Sequence, residues 1–473
     1  MQGPLLSFAF IMFVPFAVTA ADAAASAPRD DGPALAGVGD AADAAELIPA
    51  AAAGLPPVLP GQEPGARGAK GAGVAEDLPA QREWFGHAPW PSWTRATGDW
   101  SGARTELERA GIDFRGSLVS EWSDVFSGGT GDASAFRHLL DLNLTFDLAA
   151  IASIDRASVF VDFQTADAGV GGMLHGGYQA YSNIAIDGSI TQISQLWYEQ
   201  WFAGDALRVK AGKVDANAEF AFIAPAGGFI NASAGFTPAI FAFPTYPNPA
   251  VGINLFVYPC EGAYAGVALY DGAAAVDGVR TGALGPGSFL TDDQSDDWFV
   301  IGEVGYTVAS MGTLDSTRVA VGGWWHTGDF TTFAGGSSDG TGGMYALAET
   351  RAWRPEGLDV ADADDARGLW FFLQYGRADQ SVSAVRQQFG AGASLAGTFA
   401  GRDDDSLGAY LSVVDFSDEP AAALGDSEWA LEVFYEFACT PSVRIKPDLQ
   451  WFAQPADGSD DALVGTLRIT ISF

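Results

Sequence analysis

Two short runs in the middle of the chain carry side chains that can do recognition chemistry. In Leu196–Phe202, written LWYEQWF, a strand period of two puts Trp197, Glu199 and Trp201 on one side. The next strand-like run places Arg208 and Lys210 on a common side, with Lys213, Asp215 and Glu219 just beyond. Carboxylates accept from hydroxyl groups, Arg and Lys donate to them, and aromatic faces cover the C–H face of a pyranose ring. Several weak contacts of that kind give reversible recognition of a polyhydroxylated solute. The same residues, paired with one another, would instead form a salt-bridge network that braces a wall.

Enzymatic chemistry has less support. A hydrolase needs a nucleophile with a placed His and carboxylate, or a metal pair, and the chain has four dispersed histidines, His87, His138, His175 and His326. Their spacing suggests no metal constellation, and His326 beside Asp329 reads as structural. Acidic runs between strands could attract Ca²⁺ or Mg²⁺ and bridge lipopolysaccharide phosphates. They have no fixed cation-loop motif, so solvated repulsive surface is the default.

The elements that must position these residues are strands. Leu140, Leu142, Leu144, Phe146 and Leu148 alternate with Asp141, Asn143, Thr145 and Asp147, an unbroken apolar stripe against a polar one. The alternation recurs at Val159–Gln164, Leu207–Ala211, Leu369–Tyr375, Trp429–Phe437 and Val443–Trp451, and in Leu463–Phe473. That last stretch has the length that crosses a membrane as a tilted strand, about 9–11 residues. Ile112, Phe114, Leu118, Trp122 and Phe126 share a face in an earlier strand whose opposite, polar set is broken by Val119. Pro447 marks an unpaired or bulged site.

Connections alternate in length. Ala149–Arg156 and Cys439–Ser442 are short, whereas Gly285–Asp297, Gly335–Gly343, Pro355–Arg367 and Asp415–Ser427 read as long polar loops. Such alternation belongs to a transmembrane antiparallel β-barrel with short periplasmic turns and long extracellular loops, and the residues from Ile112 onward suffice for about 14–18 strands. The stretch Glu219–Pro247, with Phe220, Phe222, Phe229, Phe236 and Phe241 among scattered Gly and Pro, suits a strand and infolded loop that narrow a pore, or a loop packed on the wall.

Composition sets outer limits. The chain has 473 residues, 59 acidic against 24 basic, for a formal charge of -35. That balance opposes a nucleic-acid binder, which needs basic surface. A 48% hydrophobic content excludes an acidic disordered chain. With 59 Gly, 32 Phe, 12 Tyr and 14 Trp, the composition fits turns, loops and aromatic girdles. Two cysteines, Cys260 and Cys439, permit one disulfide or two free thiols.

Four regions follow along the chain. Residues 1–23 read as a signal peptide, with an apolar core at Leu5–Val18 and small-residue cleavage positions after Ala20 or Ala23. The core lacks a preceding Lys or Arg, which a start site set too far downstream would explain, a lone membrane anchor being the alternative. Residues 24–81 are an Ala/Gly/Pro-rich flexible extension. Residues 82–111 form a Trp-rich segment leading into the barrel, with a short helix over Ala103–Arg109 capped by Ser101 and stopped at Gly111. Residues 112–473 are the barrel.

The stretches TGDWSGARTELERAGIDF (Thr97–Phe114), LWYEQWF, AGKVDANAEF (Ala211–Phe220), GGWWHTGDF (Gly322–Phe330), GRDDDSLGAYLSV (Gly401–Val413) and TPSVRIKPDLQW (Thr440–Trp451) together resemble the OprB family of carbohydrate-selective porins. The resemblance spans roughly Trp84 to Phe473. It implies a sixteen-stranded barrel in the outer membrane of a Gram-negative bacterium, in contact with lipid and lipopolysaccharide, passing glucose and other small carbohydrates by diffusion. It implies no enzyme. A general, structural or adhesive barrel is the alternative; an adhesin would not require the Trp197–Lys213 set to face the lumen. A homo-oligomer stays open, because lipid-facing and subunit-facing apolar residues look alike.

Overall fold

The computed structural model describes residues 89–473 apart from 131–132, 168–173, 187, 273–296, 312–313, 356–366, 398 and 400. The expected signal peptide, the extension, the first residues of the Trp-rich segment with His87, and most of the 285–297 and 355–367 connections lie outside the described residues.

Sixteen strands close into one antiparallel barrel in which each pairs with its sequence neighbours and the first pairs with the last. They are β1 (Ile112–Gly129), β2 (Ser134–Asp147), β3 (Ala157–Asp167), β4 (Ser189–Phe202), β5 (Leu207–Val214), β6 (Ala250–Cys260), β7 (Ala263–Asp271) and β8 (Trp298–Met311). The second half continues with β9 (Leu314–Thr331), β10 (Ser337–Trp353), β11 (Gly368–Ala378), β12 (Val385–Ala396), β13 (Ser406–Phe416), β14 (Ser427–Thr440), β15 (Val443–Ala453) and β16 (Asp460–Ser472).

The pleat sorts side chains as the alternation requires, but inside out relative to a water-soluble domain. In β16, Leu467 and Ile469 are 43% and 37% exposed on the outer wall, whereas Arg468 between them is 5% exposed on the inner one. The same outward apolar band continues through Val267, Val321, Leu373, Leu431 and Leu449. Outward aromatics gather toward the two ends of the strands, Trp298, Trp325, Trp429 and Trp451 at one and Phe202, Tyr306, Trp353 and Phe437 at the other. Such a band between aromatic girdles is the surface a bilayer covers.

Glycine and aromatic abundance have a common cause inside the barrel. Tyr345 lies directly opposite Gly322, Phe372 opposite Gly392, and Phe434 opposite Gly408. Each ring lies over its glycine, where an added Cβ would collide with it. Bare backbone thus gives the rings room to lie flat on the wall and shields the glycine in return.

Some local expectations change. Ser337–Gly343 belongs to β10, so the β9–β10 connection is the short run 332–336 rather than Gly335–Gly343. The connection holding Pro355–Arg367 joins β10 to β11 and therefore opens on the rim of the short turns, with those at 203–206 and 441–442. Ser101 does not cap the helix α1 (Ala103–Arg109): its own φ is 59°, and the Asp99 carboxylate takes the Thr105 N–H at 3.0 Å instead. Gly111, at φ +87°, does stop it. Val119 breaks the polar set because it packs on an inward apolar patch with Leu139, Ala166, Ile184, Ile190 and Tyr246. Pro447 pairs with Leu467 of β16, while the ladder toward β14 skips its position, as a residue without an N–H requires. Cys260 and Cys439 are both free, and stand on strands eight apart in the barrel order.

The segment before the barrel closes its seam. The β1–β16 ladder begins at Ser117↔Ser472, leaving the first residues of β1 paired only with β2. Ala96 donates to Ser472 O at 2.8 Å, and the buried Arg104 guanidinium donates to the carbonyls of Phe114 and, at 2.9 Å, Phe473. Arg104 also lies over the rings of Trp100 and Phe114 at 5.2 and 5.4 Å. An edge that would otherwise present bare carbonyls is thereby covered.

Candidate functional site

On the rim opposite the start of β1 and the end of β16, two connections fold inward, the first described over 174–186. The second, residues 215–249, contains two 3-10 turns, Ala216–Ala218 and Ala224–Gly228, and a single-turn helix, α2 (Ala232–Gly235), in place of the expected strand. Its residues meet inward side chains of β8, β9, β10, β11, β13, β14 and β15, which only a segment crossing the lumen can reach. Phe229 sits among Phe372, Tyr410 and Phe434, with ring centroids 5.0–5.7 Å away. Phe220, Phe222 and Phe236 are buried as well. The first connection, between β3 and β4, joins it where Ala232 donates to Ala180 O at 2.9 Å.

The sequence-selected residues lie at the foot of this plug. A bulge in β4, where the pairing slips between Asp162/Phe163 and Gln195/Ile193, resets the parity so that Trp197, Glu199 and Trp201 face inward and Tyr198 outward. Glu199 then stands opposite Lys210, and Trp201 opposite Arg208. Glu219 reaches back from the infolded connection: Lys210 Nζ donates to it at 2.5 Å, and Arg208 donates to its other oxygen. Glu199 is the second counter-ion, 3.2 Å from Lys210 and 3.6 Å from Arg208, and it accepts the Trp201 indole N–H at 2.9 Å. Burial alone would push the Glu219 carboxyl up, but the Arg208 and Lys210 charges outweigh it and hold it below the ordinary glutamate range.

Six of the eight residues therefore form one cluster, Trp197, Glu199, Trp201, Arg208, Lys210 and Glu219. Lys213 and Asp215 stand apart. Lys213 donates to Ile193 O at 3.0 Å. Asp215 holds the base of the infolded connection through the Asn217 N–H at 2.9 Å and the Thr245 hydroxyl at 2.7 Å; burial raises its carboxyl above the ordinary aspartate value, and these donors oppose that rise only in part. The structure adds aromatic neighbours that sequence reasoning did not select. Phe160 stacks on Trp197 at 4.9 Å, Tyr258 on Trp201 at 5.3 Å, and the Arg208 guanidinium lies 4.5 Å from the Phe256 ring centre. Phe256 and Tyr258 alternate with the outward Leu255 and Val257, a parity that could have flagged them.

The other conspicuous polar groups serve the fold. His326 Nε2 is 2.9 Å from Gly272 O, and its Nδ1 accepts the Gly328 N–H at 3.0 Å, which fixes a neutral imidazole. Gly336–Gly340 has the G-x-S-x-G spacing of a nucleophile elbow, which requires a strand-to-helix turn. Here it opens β10, with the Ser338 hydroxyl bonded to Gly340 O at 2.8 Å. Among the described residues no group of three or more His, Cys, Asp and Glu is placed to hold a metal ion.

A closed sixteen-stranded barrel, apolar outside, charged inside and narrowed by infolded connections, is the architecture of an outer-membrane porin. The model of the carbohydrate-selective porin OprB family matches residues 133–473, and the chain belongs to that family. Porin B of Pseudomonas aeruginosa is 24% identical over 80% of this chain and 90% of its own length. The putative porin QuiX of Acinetobacter baylyi is 20% identical over 80% and 92%. A shorter match, 27% identical over 113 residues, covers 16% of an uncharacterised protein of Nostoc sp.. Among solved structures, the high-pH form of Pseudomonas putida OprB superimposes with a TM-score of 0.71 at 19% identity, over 81% of this chain and 99% of that one. The protein is thus a β-barrel of the outer membrane and a diffusion channel of the sugar-porin type.

Proposed function

We propose that the channel passes glucose and other small carbohydrates down their gradient and that the Trp197–Glu219 cluster contacts them weakly on the way. The observation that carries this reading is the division of labour within the cluster. Arg208, Lys210 and Glu219 are each under a tenth exposed and satisfy one another, so they brace the wall. Glu199, its side chain 16% exposed, and the half-buried Trp197 are the members left open to a solute. A carboxylate on a rigid strand, with one oxygen oriented by the Trp201 indole and the other by Lys210 and Arg208, offers its remaining lone pairs to hydroxyl groups without prior ordering. Passage needs contacts weak enough to break, and one partly screened carboxylate beside an aromatic edge meets that condition.

Single-channel conductance of the refolded barrel in a planar bilayer tests this, titrated with glucose, maltose and a non-sugar solute of similar size. Saturable blockage by sugars, weakened in Glu199→Gln and Trp197→Ala, supports the reading. Equal response to the non-sugar makes the protein a general pore, the reading that a wholly self-satisfied cluster favours.

A further inference from the structure

The infolded connections lack the regular hydrogen bonding that would satisfy their own backbone, and they cross the interior of a barrel. Their N–H groups must find acceptors on the wall. They find carboxylates. Glu303 on β8 accepts the Ala221 N–H at 2.9 Å, and Glu349 on β10 accepts that of Ala224 at 3.0 Å. On β14, Glu432 takes two successive N–H groups, Ile230 on one oxygen at 2.7 Å and Asn231 on the other at 2.9 Å. One turn of pleat away, Glu428 takes Tyr178 at 2.7 Å and Gln179 at 2.8 Å from the first infolded connection, and Ala456 at 3.0 Å from the β15–β16 connection. All four glutamates are buried, with Glu428 and Glu432 wholly so.

From this arrangement we infer that Glu428 and Glu432 are the positioning residues of the constriction: they hold both infolded connections against one wall and thereby set the cross-section left open to solutes. The bidentate geometry is specific to a carboxylate. Each oxygen faces an N–H, so a glutamine of the same shape must turn its amide NH₂ toward one of the two donors and lose that bond. Glu303 and Glu349 play a lesser part in position, since each holds a single backbone N–H. Segments pinned at both ends and in the middle present one fixed aperture; unpinned at β14 they sample several. The inference concerns the aperture and holds for any solute, although it gives the proposed sugar passage its size limit.

The test is single-channel recording of Glu432→Gln and Glu428→Gln in the full barrel, with Glu419→Gln on the β13–β14 connection as the charge-matched control. Barrel integrity is read independently from β-sheet circular dichroism and heat-modifiable migration. Expected are a conductance raised about two-fold or interrupted by sublevels, and passage of larger sugars, in both glutamine variants but not in the control. Unchanged conductance and size cut-off in folded variants overturns the inference. Should neither variant fold, hydrogen exchange on the unaltered protein decides: the amides of Tyr178, Gln179, Ile230 and Asn231 must exchange as slowly as those of the barrel strands, and fast exchange overturns it. If sugars fail to block the unaltered channel, the sugar reading fails alone, because the conductance change does not depend on it.

Discussion

Removing the Glu219 carboxylate should destabilise the barrel more than any other single change in the cluster. Glu219→Gln leaves Arg208 and Lys210 in place, each about 7% exposed, deprives both of the negative charge nearest to them and turns an amide NH₂ toward one of the two. Breaking a buried pair by deleting one partner costs about 3–5 kcal/mol, because the remaining charge stays desolvated. Here Glu199 persists at 3.2 Å from Lys210 and 3.6 Å from Arg208 and takes over part of the compensation, which places the expectation near the lower end, about 3 kcal/mol. The assay is denaturant unfolding of the refolded barrel, followed by Trp fluorescence. The sign of the pH dependence gives a second check. Because the folded-state carboxyl sits below its ordinary value, its contribution is fully present above the unfolded glutamate pKa and is lost as pH falls through the lower, folded one. Glu219→Gln should remove that component of acid sensitivity. A loss under about 1 kcal/mol, or an acid profile indistinguishable from the unaltered protein, would refute the view that Glu219 is the principal counter-ion.

Other consequences can be measured on the same preparation. His175 is buried against Phe452, with ring centres 4.0 Å apart, and burial drives its imidazole down to about 3 despite the Asp457 charge. The fold therefore holds it neutral, and acid unfolding should remove up to about 1.4 kcal/mol per pH unit between the unfolded value near 6.5 and about 3, a slope that His175→Phe should reduce. Gly392→Ala pushes a Cβ into the Phe372 ring directly opposite and should cost about 1–3 kcal/mol, recovered in part by adding Phe372→Leu. Arg104→Ala uncovers the carbonyls of Phe114 and Phe473 at the seam and should lower the temperature at which the barrel loses its compact gel mobility, whereas Arg109→Ala, exposed on the same helix, should not.

What the sequence discloses about this fold follows from how far apart the interacting residues lie. Strand faces are local: a period of two over Leu140–Asp147 or Leu463–Phe473 states which side chains share a wall, and neighbouring antiparallel strands keep that wall continuous. Five residues of the cluster were legible for the same reason, since Trp197, Glu199 and Trp201 face Arg208 and Lys210 across one four-residue turn, whereas Glu219 joins them from the infolded connection. Lys213 and Asp215 stand outside the cluster because Gly212, at φ +137°, interrupts the alternation two residues before β5 ends at Val214. The plug is a different matter. Ile230 and Glu432 are 202 residues apart, and Tyr178 and Glu428 are 250 apart, so no window of sequence contains both donor and acceptor. Phenylalanines in Glu219–Pro247 indicated something buried, yet a wall-packed loop and a lumen-crossing one share that composition. The distinguishing residues are glutamates on distant strands, and in β14 they look ordinary: Glu432 and Glu436 fit the inward polar parity equally well. One clamps two backbone amides and the other pairs with Lys446 and Arg444, a difference set by depth in the barrel and by nothing in the local pattern. Channel width in such a protein is therefore written in pairs of residues that only closure of the barrel brings together, which is why the wall could be read from the chain and the aperture could not.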